Sequence, residues 1–137
     1  MKKLLFVACV VLVMVSCNKN QKAVKKLGGT WLVTKYEITD NNETKDYIPL
    51  LKEMKLTFDN CKLKDNEYCI ISSKEVALNG DVEEDSDVYT VKQDGTVLEI
   101  GIDSNASTIK ITELTKTNCV LDWTEDSLIA HIEMKKQ

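Results

Sequence analysis

Thiols, one imidazole and a run of carboxylates are the groups in this sequence that could do chemistry. The five cysteines are Cys9, Cys17, Cys61, Cys69 and Cys119, and the single histidine is His131. A catalytic thiol needs a neighbouring base to become a thiolate. His131 is the sole imidazole, and it falls opposite in parity to Ala130 and Ile132, which turns it away from an apolar face. A Cys/His zinc site needs close ligand spacing, and neither C-x-x-C nor H-x-x-H occurs. The densest charge feature is the run Asp81-Val82-Glu83-Glu84-Asp85-Ser86-Asp87. On an extended segment, Asp81, Glu83, Asp85 and Asp87 project to one side, where a hard cation such as calcium would find oxygens. The run lacks the glycine turn and ligand ladder of a calcium loop, so it reads as a solvated hairpin loop. Glycosidase-like paired carboxylates need a cleft and one raised pKa, and neither is visible. The residues thus point to no catalytic group, no metal and no cofactor.

The elements that position these groups come from a chain of 137 residues, short for more than one domain. Hydrophobic residues make up 43%, enough to build a core and to exclude a disordered chain. A formal charge of −4 with no arginine argues against nucleic acid as a partner.

The N-terminus reads as an address. Met1-Lys2-Lys3 is basic, and Leu4 to Val15 is almost continuously apolar but too short to span a bilayer. The end of this stretch, Met14-Val15-Ser16-Cys17, resembles a bacterial lipobox, although leucine is the usual residue where Met14 stands. The resemblance implies cleavage after Ser16 and lipidation of Cys17; two or more acyl chains make such anchoring stable. The alternative is an ordinary secretion signal with an incidental cysteine. With Asn18 rather than aspartate after the cysteine, the lipoprotein resemblance implies the outer membrane, and with the basic run Lys19, Lys22, Lys25 and Lys26 it implies the periplasmic face. The expected division is a signal peptide over 1–16, a lipidated tether over 17–27 and a folded domain over 28–137.

After the tether the sequence reads as short strands. Thr30 to Ile38 alternates, with Trp31, Val33 and Lys35 on one side and Leu32, Thr34, Tyr36 and Ile38 on the other. Residues 46–53 fit a helical turn or loop around Pro49. Strands are expected at 54–59, 66–72, 75–78, 87–92, 96–102, 107–114, 118–124 and 128–134. Asn79-Gly80 and Gln93-Asp94-Gly95 supply turns. Eight or nine strands at short spacing, with almost no helical pattern, indicate an all-β, antiparallel up-and-down β-barrel or sandwich.

Three stretches in order resemble the lipocalin-like domain of small bacterial lipoproteins. They are Leu27-Gly28-Gly29-Thr30-Trp31, the strand-turn-strand Tyr89 to Ile100, and Ile109 to Leu121 with its Ile-Thr-Glu-Leu-Thr-Lys-Thr core. The resemblance covers roughly residues 27–134 and implies a small barrel of about eight strands with an apolar cavity. Many lipocalins stack a late arginine on the first-strand tryptophan. This chain has none, and Lys135 is the expected substitute over Trp31, which plugs one barrel end.

The remaining roles follow. Cys61 and Cys69 flank a hairpin over 62–68 and are candidates for a disulfide in an oxidising envelope. Cys119 shares the apolar face of Leu121 and Trp123 and is expected to be buried and free. Val33, Phe58, Leu98, Leu121 and Trp123 are the cavity candidates, with structural core as their alternative role. The function expected is non-enzymatic binding of a small apolar or amphipathic ligand by a membrane-anchored lipoprotein. The alternative is a filled barrel acting as a protein-binding module, an inhibitor or an envelope-complex accessory.

Overall fold

The structure, a computed structural model, describes residues 19–137. The expected signal segment and Cys17 lie outside the described residues. Residues 19–27 form a helix, α1. Nine strands follow: β1 (Gly29–Asp40), β2 (Glu43–Asp46), β3 (Leu51–Phe58), β4 (Cys69–Ala77), β5 (Val82–Lys92), β6 (Val97–Ile100), β7 (Ser107–Leu114), β8 (Asn118–Glu125) and β9 (Leu128–Lys136). Sequential neighbours from β3 to β9 pair antiparallel, β1 pairs with β3, and β1 also pairs along its length with β9. That last pairing closes the sheet into an eight-stranded barrel and removes its edges. β2 is an extra strand on the upper part of β1, where Glu37 to Asp40 meet Glu43 to Asp46.

Three bulges set which residues face inward. Each inserts a residue and reverses the alternation that follows it. In β1 the irregularity lies between Val33 and Lys35. Trp31 and Val33 face the core below it, and Tyr36 joins the core above it. The strict alternation expected for Thr30 to Ile38 had Tyr36 on the opposite side from Trp31. Similar shifts occur at Leu51/Glu53 in β3 and at Ile111/Glu113 in β7.

One end of the barrel is filled. Trp31, Phe58, Tyr89, Leu98, Cys119 and Met134 are almost fully buried there, and the Phe58 and Tyr89 rings meet edge to face with centroids 5.2 Å apart. α1 closes this end, with Ala23, Val24 and Leu27 buried at the spacing of one helical face and the lysines outside. The segment 17–27, expected as a tether, is therefore from residue 19 onward part of the folded domain. Three apolar residues among four lysines gave too short a pattern to mark a helix; docking on the barrel supplies its stability. Polar contacts fix it. Gln21 donates to the Cys61 carbonyl at 2.9 Å and accepts from the Leu63 N–H at 2.8 Å, while Asn20 accepts from the Gly95 N–H at 2.8 Å. Gly95 has a positive φ of 83°, and a Cβ there would stand 3.2 Å from the Ala23 Cβ, so glycine serves both the turn and the docked helix.

Trp31, expected as a barrel plug, lies at the end that α1 closes. It has no exposed surface, and its indole N–H donates to the Leu27 carbonyl at 2.6 Å, satisfying an acceptor at the helix end. The lysine over the ring is Lys136, not Lys135: its Nζ sits 5.1 Å from the ring centroid and donates to the Lys26 carbonyl at 2.9 Å. The register explains this, since Trp31 faces Lys136 across β1 and β9, whereas Lys135 faces Leu32.

Two strand boundaries also differ from expectation. The stretches 66–72 and 75–78 are joined in one strand, β4. The acidic run is not a loop: from Val82 it belongs to β5, held in unbroken register against β4. Its carboxylates within β5 alternate, so the outward Glu84 meets Lys74 at 3.6 Å, and Glu83, Asp85 and Asp87 share the inward side with Tyr89.

Candidate ligand-binding site at the open end of the barrel

Opposite α1 the barrel stays open. The cavity there is lined from β1, β3, β4 and β5, with one residue each from β6 and β9, while β7 and β8 complete the circle between those two. Its volume is about 290 Å³. Tyr36, Met54, Leu56, Ile71, Ile100 and Ile132 form its apolar wall; Ser73, Asp85, Ser86 and Asp87 form the polar side on β4 and β5. That volume stands at the lower edge of the range of small-molecule pockets, roughly 300–1,000 Å³. Larger hollows exist, including one of about 550 Å³ by Ser72, Lys74 and Glu84. It lies on the outward side of β4 and β5 among solvated polar side chains, so the inner cavity is the better candidate despite its smaller volume.

The cavity has a marked electrostatic side. Register places Glu75, Glu83, Asp85 and Asp87 on the face of β4 and β5 that also carries the buried Cys69 and Tyr89. Burial and the nearby Glu75 raise the Tyr36 hydroxyl above its ordinary pKa, so it stays a protonated donor at the rim. The Tyr47 ring lies beside it, with centroids 5.5 Å apart. Lys45, paired with Ile38 on the β1–β2 hairpin, shares the inner side of the rim.

The expected cavity residues divide in two. Val33, Phe58, Leu98 and Leu121 are buried in the filled core below the cavity and do not line it. Trp123 is half-buried, beside Ala130 on β9 and Ile109 on β7, and is also not part of the lining. Leu56, Ile100 and Ile132, which share the inward pattern, do line it. Tyr36 was hidden from sequence reasoning by the β1 bulge, and Asp85 and Asp87 by the reading of their segment as a loop.

The thiols and the imidazole are placed elsewhere. Cys61 and Cys69 form a disulfide with Cα atoms 5.5 Å apart, tying the β3–β4 loop at the closed end. Cys119 is free and buried, and burial, with Glu113 adding to it, pushes its thiol up to about 12. A thiol so raised is not a nucleophile at neutral pH. Among the described residues no group of three His, Cys, Asp or Glu side chains could hold a metal.

His131 lies on the outward side of β9, with Nδ1 2.6 Å from Asp122 and Nε2 3.0 Å from Glu133. The hydrogen bond to Glu133, then that to Asp122, raises the imidazole above its ordinary 6.5, while the His131 bond lowers Glu133 below 4.5. The imidazole's contribution to stability is complete below its unfolded value and is lost as pH rises through the folded one. That of Glu133 is complete above its unfolded value and is lost on acidification. The pair therefore helps most between about pH 4.5 and 6.5. Thermal melts at pH 5.5 and pH 8 should show His131→Gln destabilising the protein at the lower pH and having less effect at the higher.

No family model and no curated protein sequence matches this chain. Solved structures do. A lipocalin-like protein from Bacteroides uniformis superposes with a TM-score of 0.50 at 12% identity, covering 82% of this chain and 99% of that one. Lobster apocrustacyanin A1 superposes with a TM-score of 0.54 at 17% identity, covering 88% of this chain and 68% of that one. The fold is lipocalin-like. Apocrustacyanin C2 agrees, with a TM-score of 0.53 at 17% identity and the same shares covered. The likeness concerns the fold alone, the closed antiparallel barrel that this chain builds beneath α1.

Proposed function

We propose that this protein binds a small amphipathic ligand in the open end of its lipocalin-like barrel, without chemistry on it, and does so as a lipid-anchored protein of the bacterial cell envelope. The observation that carries the binding reading is the open-mouthed cavity of about 290 Å³ lined from six strands, apolar on one wall and polar on the other. Anchoring through Cys17, at the outer membrane and facing the periplasm, rests on the lipobox-like Met14-Val15-Ser16-Cys17. A ring system burying on the order of 150 Å² of apolar surface gains roughly 4 kcal/mol before the costs of association. That gain alone corresponds to about millimolar binding at best, so micromolar affinity requires the polar head to contribute. The carboxylates of β4 and β5 favour a cationic or neutral head over an anionic one.

Fluorescence titration with 1-naphthylmethylamine and with 1-naphthoate tests both parts. The amine is expected to bind at least ten-fold more tightly than the acid. Ser73→Trp, which fills the cavity from its half-buried polar side, should weaken the amine by ten-fold or more. No saturable binding of either compound would end the carrier reading; equal binding would end only the head-group preference.

A second reading, a protein-binding module, has its own support. Leu50, Leu78, Val82 and Ile102 are at least half exposed and stand on the turns and strand ends of the open rim. Such apolar residues around a mouth would suit an envelope protein partner.

A further inference from the structure

The charges of this barrel are segregated along its axis. The exposed face of α1 carries Lys19, Lys22, Lys25 and Lys26. Lys62 and Lys64 lie in the loop that Gln21 and the Cys61–Cys69 disulfide hold beside the helix, and Lys116 lies in the β7–β8 turn at the same end. That turn is at the closed end because the Thr117 carbonyl accepts from the Lys136 N–H, and Lys136 covers Trp31. Asp59, Asp65, Glu67, Asp94 and Glu113 are also near this end and reduce the positive charge without cancelling it. The open end is the reverse. Asp81, Glu83, Asp85, Asp87 and Asp126 are among its acids, and Lys45 and Lys74 are among its few cations. A protein with a net formal charge of −4 thus presents one locally basic end.

We infer that the closed end of the barrel is a docking face for an anionic lipid surface, which turns the ligand mouth away from the membrane. Lysines within a Debye length of anionic headgroups are attracted individually, and their contributions accumulate. The acids of the mouth are repelled by the same field, so attraction and repulsion act in the same rotational sense. The helix is rigidly fixed to the barrel by Trp31, Asn20 and Gln21, so orientation of α1 orients the whole domain. The inference needs neither lipidation of Cys17 nor a bound ligand. It adds a direction to the proposed function: ligand would enter from the aqueous side rather than from the bilayer beneath.

The domain over 19–137, which holds the complete closed sheet and its own plug, can be tested without any acyl chain. Cosedimentation with vesicles of 30% phosphatidylglycerol in phosphatidylcholine at low ionic strength is expected to retain it, and pure phosphatidylcholine is not. The triple variant K22Q/K25Q/K26Q should bind the anionic vesicles at least ten-fold more weakly with an unchanged melting temperature, since the three side chains are exposed. Glu83→Gln with Glu84→Gln at the mouth should not weaken binding. Hydrogen exchange on vesicles should slow in 19–27 and 59–68 and not in 82–87. Equal retention by neutral vesicles, no retention by anionic ones, or protection confined to the mouth strands would overturn the inference.

Discussion

Trp31→Ala is expected to cost about 3–5 kcal/mol of folding stability, the range for truncating a fully buried aromatic. The side chain has no exposed surface and lies where β1, β9 and α1 meet. Its loss removes ring contacts and also leaves the Leu27 carbonyl without its indole donor, which adds on the order of 1 kcal/mol. Single domains have only about 5–15 kcal/mol in total, so the variant should be close to unfolding at moderate temperature. Trp31→Phe separates the two causes, since it keeps most of the apolar ring and loses only the N–H. Chemical denaturation measures both. A cost below about 1 kcal/mol for the alanine variant would show that α1 and Trp31 are not the seal of this barrel end.

The second large effect is expected from the disulfide. Cys61 and Cys69 are 8 residues apart, and a loop of that length predicts a loss of about 2.5 kcal/mol when both are replaced by serine. The link has a further consequence here, because the loop it ties supplies the Cys61 carbonyl and Leu63 N–H that hold Gln21 of α1. The double variant should therefore expose the N-terminal helix to proteolysis before the barrel itself melts. Reductant should reproduce the loss in the native protein and leave the double variant unchanged, since Cys119 is buried. Equal stability with and without reductant would contradict this role.

Much of the fold was legible in the sequence because its signals are local. Asn79-Gly80 and Gln93-Asp94-Gly95 mark turns by their backbone chemistry, and 107–114 is the strand Ser107–Leu114 of the structure. What could not be read depends on distant partners. A bulge leaves no trace in the alternation of one strand, so the shift between Val33 and Lys35 that turns Tyr36 inward is visible only against β9. The acidic run becomes a strand because β4 pairs with it, overriding a composition that suggests solvent. α1 is similar: Ala23, Val24 and Leu27 need a barrel end to cover before their spacing means anything. The site suffered most from these gaps, since four of its expected residues were core and most of its polar wall, Asp85 to Asp87, lay in the segment read as a loop.

Ligand entry at the open end of the barrel decides the proposed function. Backbone amide NMR during titration with 1-naphthylmethylamine addresses this residue by residue. Saturable shifts are expected at Tyr36, Met54, Ile71, Ile100 and Ile132 and along Asp85 to Asp87, with Trp31, Cys119 and α1 unchanged. Shifts confined to the outer wall or the closed end, or none at millimolar ligand, would contradict it.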